Sequence, residues 1–126
     1  MVIIFTLLKA LVSILLAIFS LLGFQINTTT VELYANPSSG YEWEYSFDEQ
    51  GIMLLNESHY SPDSASIITG KGGGTQYFTF RALNSGTVNI TFEYVKYNGT
   101  QRTVASTYVY TYIVDSSGGI ALYQIQ

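Results

Sequence analysis

The sequence predicts an all-β domain, an immunoglobulin-like antiparallel β-sandwich of roughly six to eight strands, preceded by an N-terminal hydrophobic signal helix. Beyond the N-terminal segment, apolar and polar residues alternate with the period of two that half-buried strands require. Turn residues recur at intervals of roughly 8–12 residues, and no stretch follows a helical period. Eleven Tyr, seven Phe and one Trp supply the large apolar surfaces for one core.

Residues 1–24 form an almost wholly apolar segment whose single charge is Lys9. A positive residue before an apolar run is typical of a secretory signal peptide. The small residues Ser20 and Gly23 make only a weak cleavage site, and the segment is long enough to span a bilayer, so an uncleaved signal anchor stays open. We expect the secretory pathway, with the protein extracellular or in a lysosomal or other vesicular lumen, and membrane contact only without cleavage. The β-sandwich domain is predicted at 25–114, followed by a flexible C-terminal tail at 115–126.

Charge and composition exclude several functions. Beyond Lys9 there are four basic against nine acidic residues, 4 − 9 = −5, with no basic cluster, so we expect no nucleic-acid partner. The chain has no Cys and a single histidine, His59, so neither a disulfide framework, a zinc site nor a Cys-His pair is available. We therefore expect no metal, no cofactor and no enzymatic activity.

The first strand is predicted at Thr28 to Ala35, and it leads into a stiff loop, Asn36-Pro37-Ser38-Ser39-Gly40. Pro37 fixes its own φ and favours an extended Asn36, while Gly40 can adopt a positive φ. The two serines can hydrogen-bond their own backbone. Such a loop is either an ordinary hairpin connector or a rigid presented loop.

The next strand alternates aromatic residues with polar ones, and Trp43 shares its parity with Tyr41, Tyr45 and Phe47. We therefore interpret Trp43 as a core anchor that fixes the loop from below. A less regular strand is predicted at Ile52 to Tyr60, with Ile52 and Leu54 facing the core.

A long loop is then predicted from Ser61 to the glycine cluster Gly70-Lys71-Gly72-Gly73-Gly74. Clustered glycines mark either a slack linker or a place where another backbone comes close. Because a strand follows at once, a phosphate-binding loop, which opens a helix, is disfavoured.

The most regular strand is predicted at Thr87 to Tyr97, with Val88, Ile90, Phe92 and Tyr94 facing the core. Asn98-Gly99 predicts a hairpin with a type I′ turn, and a final strand at Arg102 to Val114.

Asn-x-Ser/Thr triplets predict N-glycosylation, although a chain rich in Asn and Thr also produces them by chance. The candidate sites are Asn27, Asn56, Asn89 and Asn98.

Three segments in this order, Asn36 to Trp43, Gly70 to Gly73 and Tyr94 to Tyr97, resemble the chagasin-like family of cysteine-protease inhibitors. That family has an Asn-Pro-Thr-Thr-Gly loop followed by aromatic-x-Trp, a Gly-x-Gly-Gly loop and an Arg-Pro-Trp loop. The resemblance covers roughly residues 30–114. The sequence departs from it in two places: Gly74 lengthens the second loop, and Lys96-Tyr97-Asn98 replaces Arg-Pro-Trp.

The resemblance implies an inhibitor of papain-like, cathepsin-type cysteine proteases that places three adjacent loops in the active-site cleft. We expect the protein to be a monomer. Asn36–Gly40 would occupy the centre, with Gly70–Gly74 and Lys96–Gly99 on its flanks. Without the guanidinium group of Arg, we expect weaker binding or a shifted protease preference. A secreted or membrane-anchored β-sandwich recognition module without a protease target is the alternative. The residues implied to bind the protease are Asn36, Pro37, Ser38, Ser39, Gly40, Tyr41, Gly70, Lys71, Gly72, Gly73, Lys96 and Tyr97.

Overall fold

The computed structural model describes residues 27–70 and 72–126. The predicted signal segment at 1–24 and the predicted site residue Lys71 lie outside the described residues. Within the described ranges, the structure contains no helix of the length and apolarity needed to cross a membrane.

The described chain folds into two antiparallel sheets of three and four strands, with strand orders β1-β4-β3 and β2-β5-β6-β7. A 3₁₀ turn (Pro37–Ser39) follows β1, and a short helix, α1 (Ser64–Thr69), follows β3. This confirms the all-β class and the predicted number of strands. The strands are β1 (Thr28–Ala35), β2 (Glu42–Phe47), β3 (Met53–Pro62), β4 (Gly74–Ala82), β5 (Gly86–Asn98), β6 (Gln101–Val114) and β7 (Ile120–Ile125).

The core lies between the facing surfaces of the two sheets. Val88, Ile90 and Phe92 of β5 are fully buried, as their parity predicts, and face Phe78 and Phe80 of β4. The aromatic rings meet edge to face or tilted, for example Phe80 against Phe92 at 6.0 Å between centroids. Each such side chain contributes about 1.5–3 kcal/mol on burial, so the core stabilises the fold without disulfides.

The inward parity predicted for β3 is wrong at Leu54. Met53 is buried to 2% exposure and Leu55 packs against the core, whereas Ile52 reaches the core from the turn before the strand. A bulge between Leu55 and Glu57 then shifts the register with β4. Because a bulge inserts a residue, strict alternation does not describe this strand.

The predicted flexible tail is a seventh strand. In the turn that precedes it, Asp115 Oδ1 accepts hydrogen bonds from the backbone N–H groups of Ser117 at 2.9 Å and Gly119 at 2.8 Å. Strand β7 pairs with β6, and Ile120 packs against the core. The sandwich therefore continues past the predicted boundary at 114.

Candidate functional site

Three segments meet at one end of the sandwich. The central loop, defined here as residues 36–41, joins β1 to β2. The end of β1 and the end of β3 both pair with the start of β4, through Ala35 and Pro62 opposite Gly74. Glu42, at the start of β2, pairs with Val95 near the end of β5. The central loop, the glycine segment (residues 70–74) and the β5–β6 hairpin are therefore neighbours.

The backbone of the central loop forms the turn that its sequence predicts. Asn36 is extended, with φ −134° and ψ 90°, and Gly40 is left-handed, with φ +83°. The N–H of Ser39 donates to the carbonyl of Asn36 at 3.0 Å, and that of Gly40 to the carbonyl of Pro37 at 3.1 Å. Two backbone hydrogen bonds thus close a turn that only glycine ends without strain.

The two serines bind within the loop. Ser38 Oγ donates to Asn36 Oδ1 at 2.5 Å, and Ser39 Oγ donates to the carbonyl of Asn36 at 2.6 Å. The N–H of Tyr41 donates to Ser39 Oγ at 3.3 Å. Residues 37–40 are all exposed. The loop therefore keeps its shape through its own hydrogen bonds and presents its surface to solvent.

Tyr94 supports the central loop from beneath. The N–H of Asn36 donates to its hydroxyl at 2.8 Å, and its ring lies 5.3 Å from that of Tyr41 and 4.8 Å from that of Trp43. Trp43 packs against the core, as its parity predicts, and its indole N–H donates to the carbonyl of Tyr34 at 2.8 Å. Sequence reasoning placed Tyr94 on the inner face but missed its bond to the loop, because that contact spans 58 positions.

The glycine segment follows helix α1, which the sequence did not predict. Gly70 ends the helix with φ +69°, and its N–H donates to the carbonyl of Ser66 at 2.8 Å. The carbonyl of Gly73 accepts hydrogen bonds from Ser66 Oγ at 2.5 Å and from the N–H of Asp63 at 3.1 Å. Gly70 and Gly73 are therefore both fixed to α1 by hydrogen bonds.

Gly73 and Gly74 are glycines for steric reasons. A Cβ on Gly73 would overlap the ring of Tyr34, so this ring joins the glycine segment to the strand beneath the central loop. Gly74 is the first residue of β4, and a Cβ there would overlap the carbonyl oxygen of Ser61. The expectation that Gly74 lengthens the second loop is therefore wrong, since this residue is part of the sheet.

The third segment is a strand hairpin, and the predicted loop over Lys96–Gly99 is wrong. Lys96 and Tyr97 belong to β5 and pair with Thr103 and Arg102 of β6. Asn98 pairs with Gln101, which leaves Gly99 and Thr100 as the turn. Gly99 has φ +64°, while no non-glycine residue in the described ranges has a positive φ. A positive φ at the first central position alone fits a type II′ turn and corrects the predicted type I′.

Lys96 and Tyr97 contact different parts of the molecule. Lys96 Nζ lies 5.7 Å from the ring centroid of Tyr41, and its Cε would be 3.1 Å from a Cβ built on Gly40. The hydroxyl of Tyr97 instead donates to Glu44 Oε2 at 2.8 Å. Because neighbouring side chains of a strand point to opposite faces, only Lys96 contacts the central loop.

A cluster of charged side chains ties the hairpin to β2. Arg102 Nη2 donates to Glu44 Oε1 at 2.9 Å and to Glu93 Oε1 at 3.0 Å. The hydrogen bond from Tyr97, followed by that from Arg102, lowers the pKa of Glu44 below its usual range. This cluster, which we call the Glu44 clamp, restrains a hairpin that lacks proline.

The four candidate glycosylation sites differ in their surroundings. Asn56 and Asn98 are exposed, at the β3 bulge and near the hairpin tip. Asn89 is half-buried; its Nδ2 donates to Asp48 Oδ2 at 2.7 Å and its Oδ1 accepts from Thr111 Oγ1 at 2.5 Å. Asn27 Nδ2 donates to the carbonyl of Gly118 at 2.6 Å. A glycan therefore meets the least competition at Asn56 and Asn98.

The titratable groups near this end do not form a metal-binding cluster within the described part of the chain. In residues 27–70 and 72–126, no three His, Cys, Asp or Glu side chains converge in a way that could hold a metal ion. His59 is exposed, forms a 2.9 Å ion pair with Glu57 and stacks on Tyr77. What the site offers is a rigid, uncharged loop for contact with another surface.

The family model and the solved structure that resemble this chain are both of peptidase inhibitors. The family model of the chagasin family of peptidase inhibitors, I42, matches residues 25–112. The crystal structure of the cysteine protease inhibitor EhICP2 from Entamoeba histolytica is similar, with a TM-score of 0.61 and 16% sequence identity. The match covers 70% of this chain and 78% of that one, and at this identity it shows a shared fold. No curated protein sequence matches the chain.

Proposed function

The chain belongs to the chagasin family of peptidase inhibitors, and on that premise we propose that it blocks the active-site cleft of papain-like, cathepsin-type cysteine proteases. The central loop, Asn36 to Tyr41, enters the cleft at the catalytic cysteine. The backbone of Gly70, Gly72 and Gly73 contacts one wall, and Lys96 with the tip of the β5–β6 hairpin contacts the other. In this proposal the sandwich is immunoglobulin-like, acts as a monomer and catalyses no reaction.

The observation that carries the proposal is the rigidity of an exposed loop. Nanomolar inhibition corresponds to about −12 kcal/mol, after association has cost roughly 4–15 kcal/mol in lost freedom. Immobilising a flexible loop adds about 0.5–1.5 kcal/mol for each ordered side chain. The hydrogen bonds of Ser38, Ser39 and Tyr94 already order the central loop in the free protein. Its surface therefore binds at a low entropic cost.

The same geometry explains how the loop resists cleavage. A scissile peptide must lie within about 3–3.5 Å of the nucleophile and in line with its attack. The 3₁₀ turn at Pro37–Ser39 is curved, and the bonds that close it must break before the chain can extend. The loop is therefore held in the cleft as a poor substrate.

The cell biology of the proposal follows from the N-terminal segment and the glycosylation triplets. The chain enters the secretory pathway through residues 1–24 and meets its target outside the cell or in a lysosomal or vesicular lumen. Glycans attach at Asn56 and Asn98, and a glycan at Asn98 near the hairpin tip reduces access to the protease.

Titration of papain and of a cathepsin L-like protease with the purified protein tests the function. We expect loss of peptidase activity at near-stoichiometric inhibitor. Full activity at a large molar excess over both enzymes would overturn the proposal and favour a recognition module that binds another ligand. The effect of the Asn98 glycan is tested by comparing deglycosylated and intact protein in the same assay. Equal inhibition by both would show that the glycan does not reduce access to the protease.

A further inference from the structure

Strand β7 is an edge of the four-stranded sheet and carries no charged residue. It pairs with β6 on one side, and its other side is open within the described chain. Proteins usually protect open sheet edges from other chains with charged residues or proline. The other three edge strands contain such residues: Glu32 in β1, Glu42 and Glu44 in β2, and Glu57 and Pro62 in β3. The six residues of β7, Ile-Ala-Leu-Tyr-Gln-Ile, include none.

The backbone groups of Leu122 and Ile125 point to the open edge. Gln126 exchanges two hydrogen bonds with Val109 of β6, both at 2.9 Å. Because backbone groups alternate in direction along a strand, the N–H and carbonyl of Ile125 point away from β6. At the start of β7, the carbonyl of Gly119 accepts a hydrogen bond from the residue that follows β6, so the same alternation points Leu122 to the open edge. Both residues therefore offer a donor and an acceptor to another strand.

The side chains of the same two residues are apolar and half-exposed. Leu122 lies opposite Tyr112 and Ile125 opposite Tyr110, so both are on the core side of the sheet. They are nevertheless 49% and 51% exposed, because the facing sheet has three strands to cover four. The register shift with β6 inserts Tyr123, which lets two residues three positions apart share a face. The open edge therefore combines free backbone groups with apolar side chains.

We propose that two copies of the chain pair antiparallel through β7, with Leu122 of each copy opposite Ile125 of the other. In this register the backbone groups at the two open edges bond in both directions, and the exposed aliphatic side chains lie on one face. Tyr123 of each copy lies opposite Gln124 of the other. The full chain has a formal net charge of −4, but β7 contributes no like charges to this contact. The two four-stranded sheets thus join into one continuous sheet.

The pairing is weak and leaves the protease-binding end free. Strand β7 has six residues, whereas an interface of standard size uses about 20–30 residues from each partner. We expect a dissociation constant on the order of 10–100 µM, so the protein dimerises when concentrated and acts on a protease as a monomer. Strand β7 pairs with residues 110–114 of β6, at the end remote from the β5–β6 hairpin. Each copy therefore keeps its central loop exposed.

Two charged variants and their mixture test the pairing and its register. Sedimentation equilibrium of the purified secreted protein from about 1 to 500 µM measures the dissociation constant of the dimer. Leu122→Lys and Ile125→Glu each place charges against aliphatic side chains of the other copy, so each should raise this constant about tenfold or more. An equimolar mixture should associate within about 3-fold of wild type, because the introduced lysine and glutamate then lie opposite each other. The remaining Leu122 and Ile125 also stay paired in the mixed dimer.

Ile113→Lys is the matched control. Ile113 is 41% exposed but lies on β6, inside the sheet, so the same change of charge should leave the dissociation constant within about 2-fold of wild type. Thermal unfolding shows that each variant is folded. A wild type that stays monomeric up to about 500 µM would overturn the proposal and leave the edge to a strand of another protein. A dimer that both charged variants still form, or a mixture that does not associate, would also overturn it.

Discussion

Replacing Tyr94 with phenylalanine removes the support of the central loop and little else. The ring is kept, so its packing against Tyr41 and Trp43 remains. The hydroxyl is lost, and with it the 2.8 Å hydrogen bond from the N–H of Asn36 and the longer, 3.4 Å bond that it donates to the carbonyl of the same residue. Both bonds are partly buried, so water replaces them incompletely.

The structure sets the size of the effect. A net hydrogen bond contributes about 0.5–1.5 kcal/mol, and an unpaired buried N–H costs about 1–3 kcal/mol. We expect the free energy of unfolding to fall by about 1 kcal/mol. Because the protease must then order a looser loop, the inhibition constant should rise by a similar free energy, about 5-fold. Urea unfolding and a papain titration measure the two quantities separately.

Tyr108→Phe is the control, because its ring lies 5.8 Å from that of Trp43 and, within the described chain, no hydrogen bond joins its hydroxyl to the central loop. It should leave both quantities nearly unchanged. If Tyr94→Phe lowers stability and inhibition stays within 2-fold of wild type, preorganisation through Tyr94 is refuted.

Three further predictions concern the fold around the site. Gly74→Ala should lower the free energy of unfolding by about 3 kcal/mol or more in urea, since its Cβ meets the backbone of Ser61, whereas Gly51→Ala, with nothing within 4 Å but φ +89°, should cost about 1–2 kcal/mol; equal losses would contradict the steric account. The pKa of Glu44 is lowered in the folded state, so the clamp stabilises above the unfolded pKa of about 4.3, and this is lost as the pH falls through the folded value. Glu44→Gln should abolish this contribution, which is less than about 1 kcal/mol at so exposed a site. A variant whose stability between pH 3 and 6 follows that of the wild type would refute this prediction. Deleting residues 120–126 removes Ile120 from the core and should cost at least about 2 kcal/mol by thermal unfolding, whereas no loss would restore the flexible tail.

The central loop could be predicted because its determinants are local. Pro37 and Gly40 restrict their own dihedral angles, and the serines bond within the turn, so neighbours in sequence decide the shape. Strands β1, β2 and β5 could be predicted from the sequence for the same reason, since each buries one face and alternates with a period of two.

The remaining features depend on partners distant in sequence. Helix α1 has six residues, too few to establish a helical period, and its stability comes from bonds to Gly70 and Gly73. Strand β7 lacks clean alternation because the β6–β7 register shifts between Thr111 and Tyr112. Its pairing with β6 is what makes this segment a strand. The pairing of Asn98 with Gln101 makes Gly99 and Thr100 the hairpin turn, one residue later than predicted. The same register places Lys96 and Tyr97 on a strand.

The most direct test of the account is an inhibition titration of papain with the wild type, Gly40→Ala and Gly51→Ala. Both glycines have a left-handed φ, +83° and +89°, so the two variants carry similar backbone strain, but only Gly40 lies in the central loop. We expect nanomolar inhibition by the wild type and by Gly51→Ala, and inhibition weakened about tenfold or more by Gly40→Ala. Equal inhibition by all three proteins, or none by the wild type, would contradict it.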